Sequence, residues 1–143
     1  MDKKIVVCGC TEFGHDVVNH LLLNGIKISY FVSLNSEQAT SAKVSGYKSF
    51  ESLSQKFDVP TFYPKTYSMK DISDLSFFQK ENFDLLLVCG WQRLIPQNIL
   101  KTLKIGGIGS HGSSELLPKG RGRSPVNWSI IEGKTCFISQ LFL

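Results

Sequence analysis

No apolar run in this chain approaches the ~18 residues of a membrane span, and the opening MDKKIVVCGC passes from two lysines into a strand-like run too short for a secretory signal. The expectation is a cytoplasmic protein with no membrane partner. The four cysteines, Cys8, Cys10, Cys89 and Cys136, form no C-x-x-C pair. A zinc site needs close-set ligand pairs, and a cytosolic domain of this size has little use for a disulfide framework, so no metal is expected and the thiols read as free and buried. Internal repeats and low-complexity tracts are missing too. What remains is an ordinary globular composition, 42% hydrophobic and 20% charged over 143 residues, enough for one domain with a single core.

Several ligand-binding signatures are also absent. Gly9 and Gly14 bracket a turn, but Thr11 stands where the middle glycine of G-x-G-x-x-G belongs, and the second apolar run ends in Ser33-Leu34-Asn35 rather than in an acid that could hold a ribose. There is no G-K-[ST] ending for a phosphate loop and no G-x-S-x-G for a serine nucleophile. Dinucleotide, P-loop and serine-hydrolase chemistry therefore lack their residues.

The periodicity that is present alternates strand and helix. Lys4 to Cys8 reads as a strand, and Phe13, Val17, Val18, Leu21 and Leu22 recur at helical spacing until Asn24-Gly25. Ile26, Ile28, Tyr30 and Val32 alternate as a second strand. A polar loop with room for one helical turn, 33–46, precedes a helix over 49–58 with Phe50, Leu53 and Phe57 on one face, and a short strand over 59–63. A helix over 71–82 leads into Phe83 to Gly90, whose two-sided apolarity marks a central parallel strand. A helix over 96–103, a strand over 105–110, a helix over 125–131 and a strand over 135–143 complete the pattern. Such alternation predicts an α/β, Rossmann-like, doubly wound and mostly parallel sheet. In that architecture ligands sit at the carboxyl ends of strands, where the turns at 9–14, 90–95 and 110–123 would face one cleft.

Charge singles out the last of these turns. Residues 1–100 carry ten Lys/Arg and ten Asp/Glu, whereas residues 101–143 carry six and two. The basic excess thus lies in the last 43 residues, which contain Gly109 to Gly133, GSHGSSELLPKGRGRSPVNWSIIEG, with one histidine in a run of glycine and serine. A basic surplus there suits an anionic substrate. Ser124-Pro125 then opens a helix, serine as N-cap and proline at the first helical position. His111 is the candidate catalytic group, since an imidazole can give and take a proton near neutral pH at modest cost.

Two stretches carry a family resemblance: LLVCGWQRLIPQNIL from Leu86 to Leu100, and above all His111-Gly112-Ser113, Leu116-Leu117-Pro118, Arg121-Gly122, Pro125 and the helix ending at Gly133. The chain resembles the N-terminal catalytic domain of folate-dependent formyltransferases, whose signature is N-x-H-x-S-L-L-P-x-x-R-G-x-x-P. The resemblance implies transfer of a formyl group from 10-formyltetrahydrofolate to a primary amine. It makes His111 the group that stabilises or protonates the oxyanion, and Trp91, Gln92, Arg93, Leu94 and Ile95 the turn lying against the pterin. Ser113, Lys119, Arg121 and Arg123 become substrate-binding residues, the arginines meeting a diphosphate through their forked donors.

The sequence departs from the family at three places. Gly109 replaces the asparagine, Ser114-Glu115 are inserted, and the catalytic aspartate is expected beyond residue 143. The expectation is an incomplete formyltransferase-like domain over 1–143, its sheet truncated at the C-terminal end, with a free strand edge able to pair two copies into a homodimer. The GRGRSPxNW form and the neutral first hundred residues favour a small anionic amine on a nucleotide-linked sugar. Methionyl-tRNA is the alternative acceptor, and a Rossmann-like module that binds nucleotide or folate without turnover is the alternative class.

Overall fold

The computed structural model describes residues 3–122 and 124–143, and the chain divides into two compact units, residues 1–107 and 108–143. The first unit contains β1 (Ile5–Cys8), α1 (Glu12–Leu23), β2 (Tyr30–Val32), α2 (Ser36–Ser41), α3 (Glu51–Phe57), β3 (Thr61–Phe62), α4 (Ile72–Glu81), β4 (Leu85–Val88) and α5 (Gln97–Leu100). Its strands lie in the order β3-β2-β1-β4, all parallel, with Val7 of β1 opposite Phe31 on one side and Leu87 on the other. The chain therefore builds outward from β1 through β2 and β3 and then returns to β1's other edge with β4. That reversal is the place where an open α/β sheet offers a crevice.

Apolar side chains of β1, β2 and β4 feed two clusters, one on each face of the sheet. Val6, Cys8, Val32, Leu86, Phe78 and Phe83 belong to one, and Val7, Phe31, Val18, Phe50 and Leu53 to the other. Such burial on both faces is what a continuous apolar strand demands. Capping residues hold the helices in place. Thr11 caps α1 by accepting from Gly14 N, Asn35 and Gln38 form a capping box on α2, and Asp71 caps α4. Asp74, fully buried, accepts from the amides of Lys65 at 2.7 Å and Thr66 at 3.4 Å and so fixes the segment before α4.

Three expectations need correction here. The second strand starts only at Tyr30, because its partner β1 has just four residues and Ile26 projects into solvent. Phe13, placed by periodicity on the core face, is 63% exposed in the first turn of α1. The polar stretch 33–46 contains the full helix α2.

In the second unit, β5 (Gly106–Ser113), which starts in the first unit, pairs antiparallel with β6 (Ile138–Phe142), and α6 (Pro125–Ile131) lies between them in sequence. Among its described residues no apolar side chain is buried, while Leu116, Trp128, Ile130, Ile131, Leu141 and Leu143 are each more than half exposed. No described helix is long and apolar enough to cross a membrane.

Candidate functional site

The first unit brings two of the expected turns together at the carboxyl ends of β1 and β4. Cys10 N donates to Gly90 O at 3.2 Å, and the backbones are so close that a Cβ on Gly9 or Gly14 would overlap the Cys89 carbonyl oxygen. Gly90, at φ +74°, would overlap the Thr11 hydroxyl if it carried a side chain. The glycines that seemed to be a broken dinucleotide motif are thus needed for close packing. The amides around them are already engaged: Glu12 N with Gly46 O, Gly14 N with Thr11 Oγ1, and His15 N with Thr11 O. A cavity of about 440 Å³ beside them is lined by Thr11, Glu12, Phe13, Ser45, Gly46, Gly90 and Gln92.

The turn from Trp91 to Ile95 is held from beneath by Tyr67. The phenol accepts from Gln92 N at 3.0 Å, its ring meets Trp91 edge-on at 4.7 Å, and the Arg93 guanidinium lies 4.8 Å from it. Burial pushes the Tyr67 hydroxyl well above its ordinary pKa, and Cys10 Sγ donates to it at 3.7 Å. Gln92 Nε2 donates to Ser45 O at 2.9 Å and Arg93 folds back onto Gln92 O at 3.2 Å. Trp91 is buried, and among the described residues its indole N–H has no partner. Leu94 is 93% exposed, and among the described residues the backbone N–H groups of Arg93, Leu94 and Ile95 make no hydrogen bond within the protein. A fixed turn whose donors are unengaged among the described residues is what a flat ligand edge rich in acceptors would need.

In the second unit, His111 is a strand residue and not, as its glycine-rich surroundings suggested, a loop residue. Pairing with β6 extends β5 through Ser113, opposite Ile138. Alternation along the strands puts Gly109, His111 and Ser113 on one face with Phe142, Gln140 and Ile138. His111 Nε2 lies 2.9 Å from Gly120 O. A carbonyl oxygen can only accept, so Nε2 carries the proton and Nδ1 is the nitrogen left for chemistry. Gly120, at φ +64°, must be glycine, since a Cβ there would overlap the Ser113 hydroxyl. The buried Ser113 accepts from Glu115 N at 3.1 Å.

A cavity of about 320 Å³ is lined by Ser113, Ser114, Glu115, Gly120, Arg121, Gly122, Pro125, Trp128, Ser129 and Glu132. Ser113 and Arg121 thus come together on it. Lys119 is exposed, its amide closing a turn on Leu116 O at 3.0 Å, and does not line the cavity; Arg123 lies outside the described residues. Ser124 precedes α6 as expected but adopts φ +53° and makes no capping hydrogen bond. The place of the missing asparagine is filled by packing: a Cβ at Gly109 would sit 2.7 Å from Phe142 Cζ.

Sequence reasoning missed Gln140. Its Oε1 accepts from Leu117 N at 2.8 Å and its Nε2 donates to Glu115 O at 3.0 Å. Two adjacent polar residues, Ser139 and Gln140, in an otherwise apolar strand were the only signal, and the β5–β6 register decides which of them faces His111.

The thiols are all free. Cys8 and Cys10 are buried, Cys89 is half-buried, and Cys136, contrary to the expectation of burial, is exposed. Burial raises the Cys8 and Cys10 pKa values and pushes Cys89 to about 11. Among the described residues no group of three or more His, Cys, Asp or Glu could hold a metal ion.

Comparison with known proteins agrees with this architecture. Residues 3–137 match the family model described as formyl transferase. The bifunctional polymyxin resistance protein ArnA of Wigglesworthia glossinidia brevipalpis is 30% identical over 131 residues, covering 92% of this chain and 19% of that protein. Methionyl-tRNA formyltransferase of Mycoplasma mycoides is 31% identical over 131 residues, covering 91% of this chain and 39% of that protein. Phosphoribosylglycinamide formyltransferase of Anaplasma phagocytophilum superposes with a TM-score of 0.72 at 18% identity, covering 99% of this chain and 64% of that one. The chain therefore spans well under half the length of these curated relatives and has the α/β Rossmann-like fold of the solved ones. With 135 consecutive positions, 3 to 137, matched to one family model, the chain belongs to the formyl transferase family.

Proposed function

We propose that this chain serves transfer of a formyl group from 10-formyltetrahydrofolate to a primary amine. The observation that carries the reading is the fixed orientation of His111: Nε2 is committed to the carbonyl of Gly120, itself a residue of the cavity wall, and among the described residues Nδ1 has no hydrogen bond. The donor, when bound, supplies an activated formyl carbon. In the transfer the amine nitrogen forms a bond to that carbon, the bond from the carbon to the donor nitrogen breaks, and one proton leaves the amine while one reaches the donor nitrogen. His111 Nδ1 can take the first proton and return the second, and when protonated it donates to the oxygen that gains charge between the two steps. The free amides of Arg93 to Ile95 would hold the donor's ring edge, with Trp91 and Tyr67 keeping the turn in shape.

The acceptor we favour is an amine on a nucleotide-linked sugar. Support comes from Arg121 on a 320 Å³ cavity, which suits one small anionic molecule, and from the neutral charge of residues 1–100, which offers no broad basic surface for tRNA. A cytoplasmic setting follows from the folate donor. One observation favours binding without turnover as a second reading, because Phe142 occupies the space over Gly109 where the family carries its asparagine.

Incubating the chain with 10-formyltetrahydrofolate and, separately, amino-sugar nucleotides, methionyl-tRNA and glycinamide ribonucleotide tests these readings, with formylated amine as the readout. Product with a sugar nucleotide supports the favoured acceptor, and product only with methionyl-tRNA replaces it. Folate binding by calorimetry with no product from any amine selects the second reading. Neither binding nor product refutes both.

A further inference from the structure

We infer that Gln140 is a positioning residue for His111, acting through the loop that bridges them. His111 and Gln140 are paired across β5 and β6, and their side chains share one face. Each grips the same loop from that face. Gln140 holds its start, accepting from Leu117 N and donating to Glu115 O, and His111 holds its end at Gly120 O. A carboxamide is the right group for the first grip, because it matches one backbone donor and one backbone acceptor at once, as a neighbouring strand would. Ser113 adds a third tie on the same face by accepting from Glu115 N, and the bare Cα of Gly120 rests against it.

The two grips are coupled by the short chain between them. If Gln140 lets go, Leu117 and Glu115 lose their partners, and Gly120 is no longer held where its carbonyl meets Nε2. That carbonyl is what decides which ring nitrogen carries the proton. Without it the neutral imidazole is free to sample both tautomers, and the free lone pair is no longer confined to Nδ1. Glu115 and Gly120 also line the 320 Å³ cavity, so the same grip sets two of its walls. The catalytic meaning rests on the reading of His111 as the proton-handling group. The structural coupling does not, and the test is chosen accordingly.

The experiment uses the whole chain with ¹⁵N-labelled histidine and backbone and requires no turnover. In the native protein, long-range proton–nitrogen spectra should show His111 as the Nε2–H form and the Leu117 amide should exchange more slowly than an unbonded amide of the same loop. In Gln140→Leu the Leu117 amide should exchange at least about tenfold faster and the His111 pattern should become that of mixed tautomers, with Ser139→Ala, on the opposite face, changing neither. Gln140→Glu keeps an acceptor for Leu117 N but loses the donor to Glu115 O; it should retain Leu117 protection while partly loosening His111, and it serves if the leucine variant does not fold. A native His111 pattern in Gln140→Leu, or in Gln140→Glu if that is the variant that folds, would overturn the proposal. Loss of the pattern in a chain that formylates no amine would uphold the coupling and count against the proposed function alone.

Discussion

Replacing Gly90 by alanine should cost far more than replacing a glycine of similar backbone conformation elsewhere. Gly25 and Gly46 have φ values of +82° and +66° with open space around them, and Gly90 has +74° with Thr11 and Gly14 against it. Left-handed backbone in a non-glycine residue costs about 1–2 kcal/mol, which is the whole expected loss at Gly25 or Gly46. At Gly90 the new Cβ would overlap Thr11 Oγ1 and come within 3.0 Å of Gly14 N. Overpacking of this kind adds about 1–3 kcal/mol. Pushing Thr11 aside also removes the cap of α1, a further loss of about 1 kcal/mol. The total is about 3–6 kcal/mol.

Gly14→Ala is the complementary case, because alanine is favoured in a helix by about 1 kcal/mol. Overlap with the Cys89 carbonyl should nevertheless make it destabilising. Urea unfolding followed by tryptophan fluorescence and circular dichroism gives the comparison at equal m-value. If Gly90→Ala lies within about 0.5 kcal/mol of Gly25→Ala, the close approach of the two turns is not what requires the glycine.

Three further outcomes are expected. With formylated amine as the readout, His111→Ala should lower turnover by about 10²–10⁴-fold with little change in folate binding, and unchanged turnover would remove the imidazole from the chemistry. The Ser73 hydroxyl and amide, then the Lys65 ammonium, hold the Asp71 carboxyl down at about 2, so its contribution to stability is present above the unfolded pKa of about 4 and is lost as pH falls through about 2. The stability gap between native protein and Asp71→Asn should therefore close over that window, and a gap independent of pH would contradict it. A thiol reagent at about pH 8 should label Cys136 quickly, the half-buried Cys89 slowly, and Cys8 and Cys10 only on unfolding, as a time course with Cys136→Ser can check.

Where the sequence was legible, local pattern and tertiary demand coincided. β1 and β4 are apolar on both faces because both faces are covered, and Asp71 and Asn82 flank α4 as the caps their side chains favour. The misreadings arose where a distant partner decides. β2 is cut short by the length of β1, and the glycines after β1 answer to Cys89 and Gly90 some eighty positions on. His111 is drawn into a strand by β6, and Gln140 acquires its role from the same register. The family signature located His111 and the turn at Trp91, but not that the Gly120 carbonyl would choose between the imidazole nitrogens.

The lack of buried apolar side chains among the described residues of the second unit bears on how a ligand would be felt there. Cooperative openings are cheapest where apolar burial is least, so amides around His111 should exchange through local excursions while those of β1 and β4 wait for global unfolding. A ligand that needs the ordered form then binds with an apparent affinity reduced by the fraction of molecules in that form. Its clearest signature would be a fall in local exchange around the 115–120 loop, with little change in the melting of the chain as a whole.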